Sequence, residues 1–260
     1  MGPFSLIAEK ENNDAIILTD SNDWVVQFTG FNPPKAALYS TEMAGQNGAK
    51  YQGSRLNTRN VVLTFTILRN VQASRLLLSK FFRSGEKIKL VYAGLRRVMI
   101  EGVVETYAAD RFKNTRKQIV QISLICYEPE LMATEEIEVT PSSGSATFFY
   151  GGDLPGGFTI ELACSGAVTN PVISDANGNS LTITDSFVAD DVITINTVRG
   201  HKAAISSNDG TDTNLIGKVA YGSVWLQLMP GENTISFAAD SGAANITAVY
   251  KFTPRFLEAI

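Results

Sequence analysis

A single stretch of this 260-residue chain carries a helical hydrophobic period, and that restricts the fold more than any other feature. After Asn70, a residue suited to an N-cap, Val71, Ser74, Leu77, Leu78, Phe81 and Phe82 fall on one side at helical spacing. Gln72, Arg75, Ser79, Lys80 and Arg83 oppose them until Gly85 stops the run. The spacing predicts one amphipathic helix over Asn70–Arg83, about four turns long, covering a sheet. Around it the period is two. Val61, Leu63, Phe65 and Ile67 alternate with Val62, Thr64, Thr66 and Leu68, a strand with one fully apolar face. Lys87–Tyr92 and Val98–Tyr107 read as a hairpin around the tip Ala93-Gly94-Leu95-Arg96-Arg97. A second connection, 108–117, leads into Gln118–Tyr127, where Val120, Ile122, Leu124 and Cys126 share a face; Glu128-Pro129-Glu130 ends that strand.

The rhythm changes near residue 134. Ala133–Val139 is acidic, and Pro141-Ser142-Ser143-Gly144-Ser145 reads as a turn or linker. Beyond it short strands recur at sandwich spacing: Ala146–Tyr150, Phe158–Ala163, Pro171–Ser174, Leu181–Thr184, Val192–Asn196, Lys202–Ser206, Val224–Leu228, Thr234–Ala238 and Asn245–Phe252. Asn177-Gly178 suits a type I′ turn and Pro230-Gly231 a type II turn. The length suits about two domains. The pattern therefore predicts a mainly β chain. Residues 1–133 make a β-sandwich-like domain with one α-helix and a β-hairpin extension, and residues 134–260 make a second β-sandwich.

Composition removes several function classes. With one histidine, His201, and two cysteines, Cys126 and Cys164, a zinc site of the usual kind has too few ligands, and a histidine triad would rest on one imidazole. Cys126 lies on the apolar face, where a thiol is packing. No run approaches the ~20 apolar residues of a membrane span. The N-terminus lacks a basic segment followed by an apolar one, so no signal peptide is expected, and the chain is expected to be made in a reducing cytoplasm. Charge is uneven: residues 1–140 hold 17 Lys/Arg against 15 Asp/Glu, and residues 141–260 hold 5 against 11. Within Arg55–Lys117 there are 14 basic residues and 4 acidic ones, but the composition lacks the basic segment with stacking aromatics expected of a nucleic-acid sequence reader. Those bases read as a solvated helix face and hairpin tips, or as groups that meet acidic surfaces of a protein partner.

Candidate chemistry fails on spacing. Asp175-Ala176-Asn177-Gly178-Asn179 begins like a calcium loop but has its glycine at the fourth position and Ser186 at the twelfth. Ser207–Asn214 is polar enough for a cation but reads as a mobile loop. Asp190 and Asp191 are adjacent in an expected strand, so they point to opposite faces and cannot flank one glycosidic bond. Gly151–Gly157 is glycine-rich without the Lys-Ser/Thr of a P-loop. Trp225 is a possible glycan contact on a sandwich strand, with core filling the competing role. These residues assemble no catalytic, metal or cofactor site, and no cofactor is expected.

The order of elements is itself informative. The helix is followed by "KIKLVY", the hairpin "RRVMIEGVVETY" and the strand "QIVQISLICYEPELMA", and the chain ends in "VWLQLMPGENTISFAADSGAANITAVYKFTPRF". This succession resembles the siphophage distal tail proteins, the Dit family. The resemblance implies a C-terminal sandwich of galectin or carbohydrate-module (CBM) type and a non-enzymatic virion protein. It further implies a hexameric ring built by the N-terminal domains at the distal end of the tail, assembled in the host cytoplasm. The implied partners are further copies of the chain, the tail tube protein, the tail tip protein, and baseplate or receptor-binding proteins. DNA is cargo in the bore, and no membrane is involved. On that view Arg96 and Arg97 meet acidic groups on a neighbouring chain. The alternative is a carbohydrate-binding adhesion module using Trp225 on host glycans; a hydrolase built on Asp190 or Asp191 is the remote third reading.

Overall fold

The computed structural model describes residues 4–109 and 117–259, in two compact units. Unit 1 comprises Met1–Thr134 with Phe256–Ile260, and unit 2 is Glu135–Arg255.

Unit 1 is organised by β6 (Arg59–Ile67). Its alternation is the one read from the sequence, and Val61, Leu63, Phe65 and Ile67 are fully buried. Burial of each such side chain contributes about 1.5–3 kcal/mol. β6 lies between β3 (Trp24–Thr29) and β9 (Gln118–Cys126). From β9 the antiparallel sheet continues through β8 (Arg97–Ala109), β7 (Lys87–Ala93) and β1 (Ser5–Glu9) to β2 (Ala15–Ile17). β10 (Leu131–Ala133) pairs with β8 and with β22 (Arg255–Phe256). The sheet curls back on itself. The Phe28 ring of β3 lies 5.9 Å from Tyr92 of β7 and 5.7 Å from Phe4, although β6, β9 and β8 separate β3 from β7 in the sheet. One continuous sheet thus supplies both walls of the core. The connection expected over 108–117 falls mostly outside the described residues.

The expected helix is present as α1 (Val71–Phe81), shorter at its C-terminal end than the 70–83 of the sequence reading. Val71, Ser74, Leu78 and Phe82 are buried, whereas Leu77 turns to solvent. Asn70 holds the cap position in a left-handed conformation, but its side chain donates to Asp23 Oδ1 at 3.0 Å and leaves the helix N–H groups alone. Two strands, β4 (Ala36–Glu42) and β5 (Ala49–Leu56), stand apart as a separate two-stranded sheet.

Assigning all of 134–260 to the second domain does not survive at its end: Phe256–Ile260 return to unit 1. Arg59, 3% exposed, shows why. Its Nε donates to the Pro129 carbonyl at 2.7 Å, Nη1 to Gly30 and Asn32, and Nη2 to the Leu257 carbonyl at 2.9 Å. Burial pulls this guanidinium below its ordinary pKa, and hydrogen bonds to four carbonyls replace its lost water. Ala259 N–H adds a bond to the Phe31 carbonyl.

Unit 2 is a β-sandwich. One sheet runs β11 (Ile137–Val139), β21 (Ile246–Phe252), β13 (Thr159–Cys164), β17 (Val192–Asn196), β18 (Ala203–Asn208), β19 (Thr211–Asn214). The other runs β12 (Ser145–Tyr150), β20 (Gly231–Ser241), β14 (Val168–Asp175), β15 (Ser180–Thr182), with β16 (Ser186–Phe187) on β14. Leu162, Ile195 and Tyr250 of the first and Tyr150, Ile173 and Ile235 of the second share one core.

Three local expectations change. Val224–Leu228 buries Leu226 and Leu228 alternately but is no strand: it touches its neighbours through isolated links, the Leu228–Gly156 bridge and the Val224 N–H bond to the Ser180 carbonyl, and builds no ladder. Ser207–Asn214 is not a loop: it closes β18 on β19 through Asp209 and Gly210, at φ 46° and 77°, the two positive values of a type I′ turn. Asn177-Gly178 is not that turn, since only Gly178 has positive φ, and three residues connect the Asp175 and Asn179 backbones.

Candidate functional site

The surface that calls for a partner is the β4–β5 hairpin. None of its residues is buried, and its strands pair only with each other. An isolated two-stranded hairpin is marginal in water. This one also displays apolar groups. The bulge between Tyr39 and Ser40 sets Ser40 opposite Tyr51, so that Tyr51 joins Leu38 on one face, and the Tyr51 hydroxyl donates to Ser54 Oγ at 2.9 Å. Leu38 is 71% and Tyr51 62% exposed. At the hairpin's root a cleft of about 790 Å³ opens between Pro33, Pro34, Lys35, Arg55, Asn57 and Tyr127. Lys35 and Arg55 lie on one face of the ribbon, near one another across the strand pair. Sequence reasoning missed this element. Both its faces meet water, so no hydrophobic period marks it; the tip pair Asn47-Gly48 was the one local signal.

The basic segment Arg55–Lys117 is largely engaged within its own chain. Arg59 serves carbonyls, Arg75 donates to Gln118, Arg83 pairs with Glu86, Lys87 with Glu11 and Lys89 with Glu9. Arg96 places its guanidinium 4.8 Å over the Phe256 ring, while Arg97 opens β8, exposed and opposite Ala93. The hairpin tip thus separates the two arginines: one is occupied at home and one faces solvent. Arg111, Lys113 and Arg116 lie outside the described residues.

In unit 2 the sequence candidates have structural occupations. Trp225 is half-buried against the core, with Lys202 Nζ 5.4 Å over its ring. Asp190 and Asp191 lie in a turn, not in the expected strand; Asp191 accepts from Val188 N–H and Asn208 Nδ2. Asp175 organises its turn by accepting from the N–H groups of Asn177 and Asn179 and from Asn179 Nδ2. Partial burial works to raise its pKa, and these hydrogen bonds outweigh it and lower it. The Gly151–Gly157 run wraps the Tyr150 ring, where a Cβ at Gly152 would stand 2.6 Å from it. In unit 1, burial pushes the Cys126 thiol up to about 12, with Arg59 opposing, and it sits inertly in that unit's core. His201 is exposed. Among the described residues no cluster of three or more acidic, histidine or cysteine side chains is arranged to hold a metal.

Two family profiles match complementary stretches. Residues 14–126 match the phage tail protein RIFT-related domain, and residues 151–256 match the C-terminal domain of the siphovirus-type tail component typified by SPP1 Dit. The chain belongs to the siphophage Dit family. It is accordingly a structural component of a phage tail. Its fold is that of SPP1 Dit, described as a paradigm of the hub adsorption apparatus of phages infecting Gram-positive bacteria: the TM-score is 0.76 over 98% of this chain and 99% of that one, at 13% identity. A chain of the phage P2 baseplate, in its activated conformation with calcium, matches at TM-score 0.55, 10% identity and 97% and 98% coverage. The strontium form of that baseplate gives 0.53, 10% identity and 96% and 98%. No curated protein matches the chain in sequence. Membership is carried by the two profile matches, and the solved structures add the likeness of fold at low residue identity.

Proposed function

We propose that this chain is the distal tail hub: a non-enzymatic protein that forms a hexameric ring through unit 1 and joins the tail tube to the tip. Unit 2 then serves as the docking point for baseplate or receptor-binding proteins, and DNA passes through the bore. Family membership and the likeness to a hub protein and to baseplate chains support this reading. The observation that carries it is the β4–β5 hairpin, whose exposed Leu38 and Tyr51 no element of its own sheet covers. A head-to-tail contact that hides such a hairpin on the next copy closes into a ring when the rotation between copies allows. Arg97, exposed at the β7–β8 tip, is placed to add an ionic contact to an acidic group of the next chain, with Arg96 held behind it on Phe256.

Negative-stain imaging of the purified protein, alone and with its tube protein, tests the ring. Six-fold rings are expected, and Arg97→Glu should thin their population. Single particles in both preparations would refute the reading.

A further inference from the structure

Hydrolysis of an asparagine side chain is controlled by the residue that follows it. The main-chain nitrogen of that residue, once it gives up its proton to solvent base, attacks the asparagine Cγ. The bond from Cγ to the side-chain nitrogen breaks, that nitrogen takes a proton and leaves as ammonia, and a five-membered succinimide remains. Water then opens either carbonyl and yields aspartate or isoaspartate. Nothing is oxidised or reduced, and water is the only co-reactant. A following glycine puts no Cβ in the way and lets the backbone reach the required geometry. A hydrogen-bonded, fixed nitrogen cannot reach it without local opening.

The chain has two Asn-Gly pairs, Asn47-Gly48 and Asn177-Gly178, and the structure treats them oppositely. Asn177 is locked. Its N–H donates to Asp175 Oδ1 at 2.9 Å, the attacking nitrogen of Gly178 donates to the Asp175 carbonyl at 3.2 Å, and Asn179 binds the same carboxylate twice more. Asn47 is open. It lies beyond the last hairpin pair, Glu42–Ala49, at the exposed tip of the ribbon, and among the described residues neither its side chain nor Gly48 N–H makes a hydrogen bond. Gly48 has φ +88° and open space around it.

We propose that Asn47 is a site of spontaneous modification and that Asn177, with the same dipeptide, is protected. The product adds a negative charge at the tip of the ribbon, and the isoaspartate form also adds a main-chain methylene there. Its bearing on assembly rests on the ring reading; the chemistry does not.

The test incubates the full-length protein, with Asn47→Gln as control, at mildly alkaline pH and follows both sites by peptide mass spectrometry. Solution mass is recorded in parallel as the separate readout of assembly. The expected result is an aspartate and isoaspartate mixture at position 47, formed about tenfold or more faster than any change at Asn177, and no conversion at position 47 in the control. Equal rates at the two sites, or an unchanged Asn47, would overturn the proposal whatever the oligomeric state proves to be.

Discussion

The two units solve the same problem, burying one face of an antiparallel sheet, in different ways. Unit 2 closes two sheets on each other, and even its β18–β19 ribbon continues an existing sheet. Unit 1 folds one sheet around a core and then extends a hairpin that joins no sheet at all. Both units expose apolar side chains, Phe149 and Tyr221 of unit 2 among them, but unit 1 also carries Leu38 and Tyr51 on a ribbon that, among the described residues, pairs with no further strand. The proposal of assembly through unit 1 rests on that contrast.

The largest effect expected from breaking the contrast is at Arg59. Arg59→Met strands four carbonyls that the guanidinium now serves, and should cost unit 1 on the order of 3–5 kcal/mol. Denaturant melts that follow each unit separately should show the loss in unit 1, with faster amide exchange at Leu257–Ala259. An equal loss in unit 2 would break the separation. Next, Gly156→Ala drives a Cβ into the Tyr150 hydroxyl and should remove about 1–3 kcal/mol from unit 2 by overpacking; an unchanged melting midpoint would contradict the account of Tyr150 as wrapped by glycines. Tyr250→Phe should go the other way. Among the described residues the Tyr250 hydroxyl is buried without a hydrogen-bond partner, and burial raises its pKa, so its removal should stabilise unit 2 by about 1 kcal/mol in the same assay.

How much of this was legible depends on which face of each element meets water. β6 and Val192–Asn196 were readable because one face of each is fully buried and the other is not. The β4–β5 hairpin was silent for the opposite reason. Val224–Leu228 misled because inward alternation also occurs in an extended segment that makes no ladder. The return of the tail to unit 1 turns on one arginine meeting carbonyls from three distant segments, which no local pattern encodes. At the candidate site, Arg96 and Arg97 were found as a tip, but which of them is free for a neighbour followed from Phe256, far along the chain.

The smallest effect sharpens the view of unit 2. The hydrogen bonds at Asp175 hold its folded pKa below the unfolded value. Its contribution is therefore present above the ordinary carboxylate range and fades as pH falls through the lowered value. Because this carboxylate is largely exposed, Asp175→Ala should produce a slight loss at neutral pH that vanishes in acid; a loss that grows in acid would reverse the assignment.

The most direct test of the central claim is the solution mass of the wild-type chain beside a Leu38→Ser, Tyr51→Ser double variant, by light scattering across a concentration series. Both positions are solvent-facing, so the variant's stability should stay within about 0.5 kcal/mol of the wild type. Closed multimers for the wild type and monomers for the equally stable variant are the predicted result. A variant that assembles as well as the wild type, or a wild type that stays monomeric both alone and with its tube protein, would contradict it.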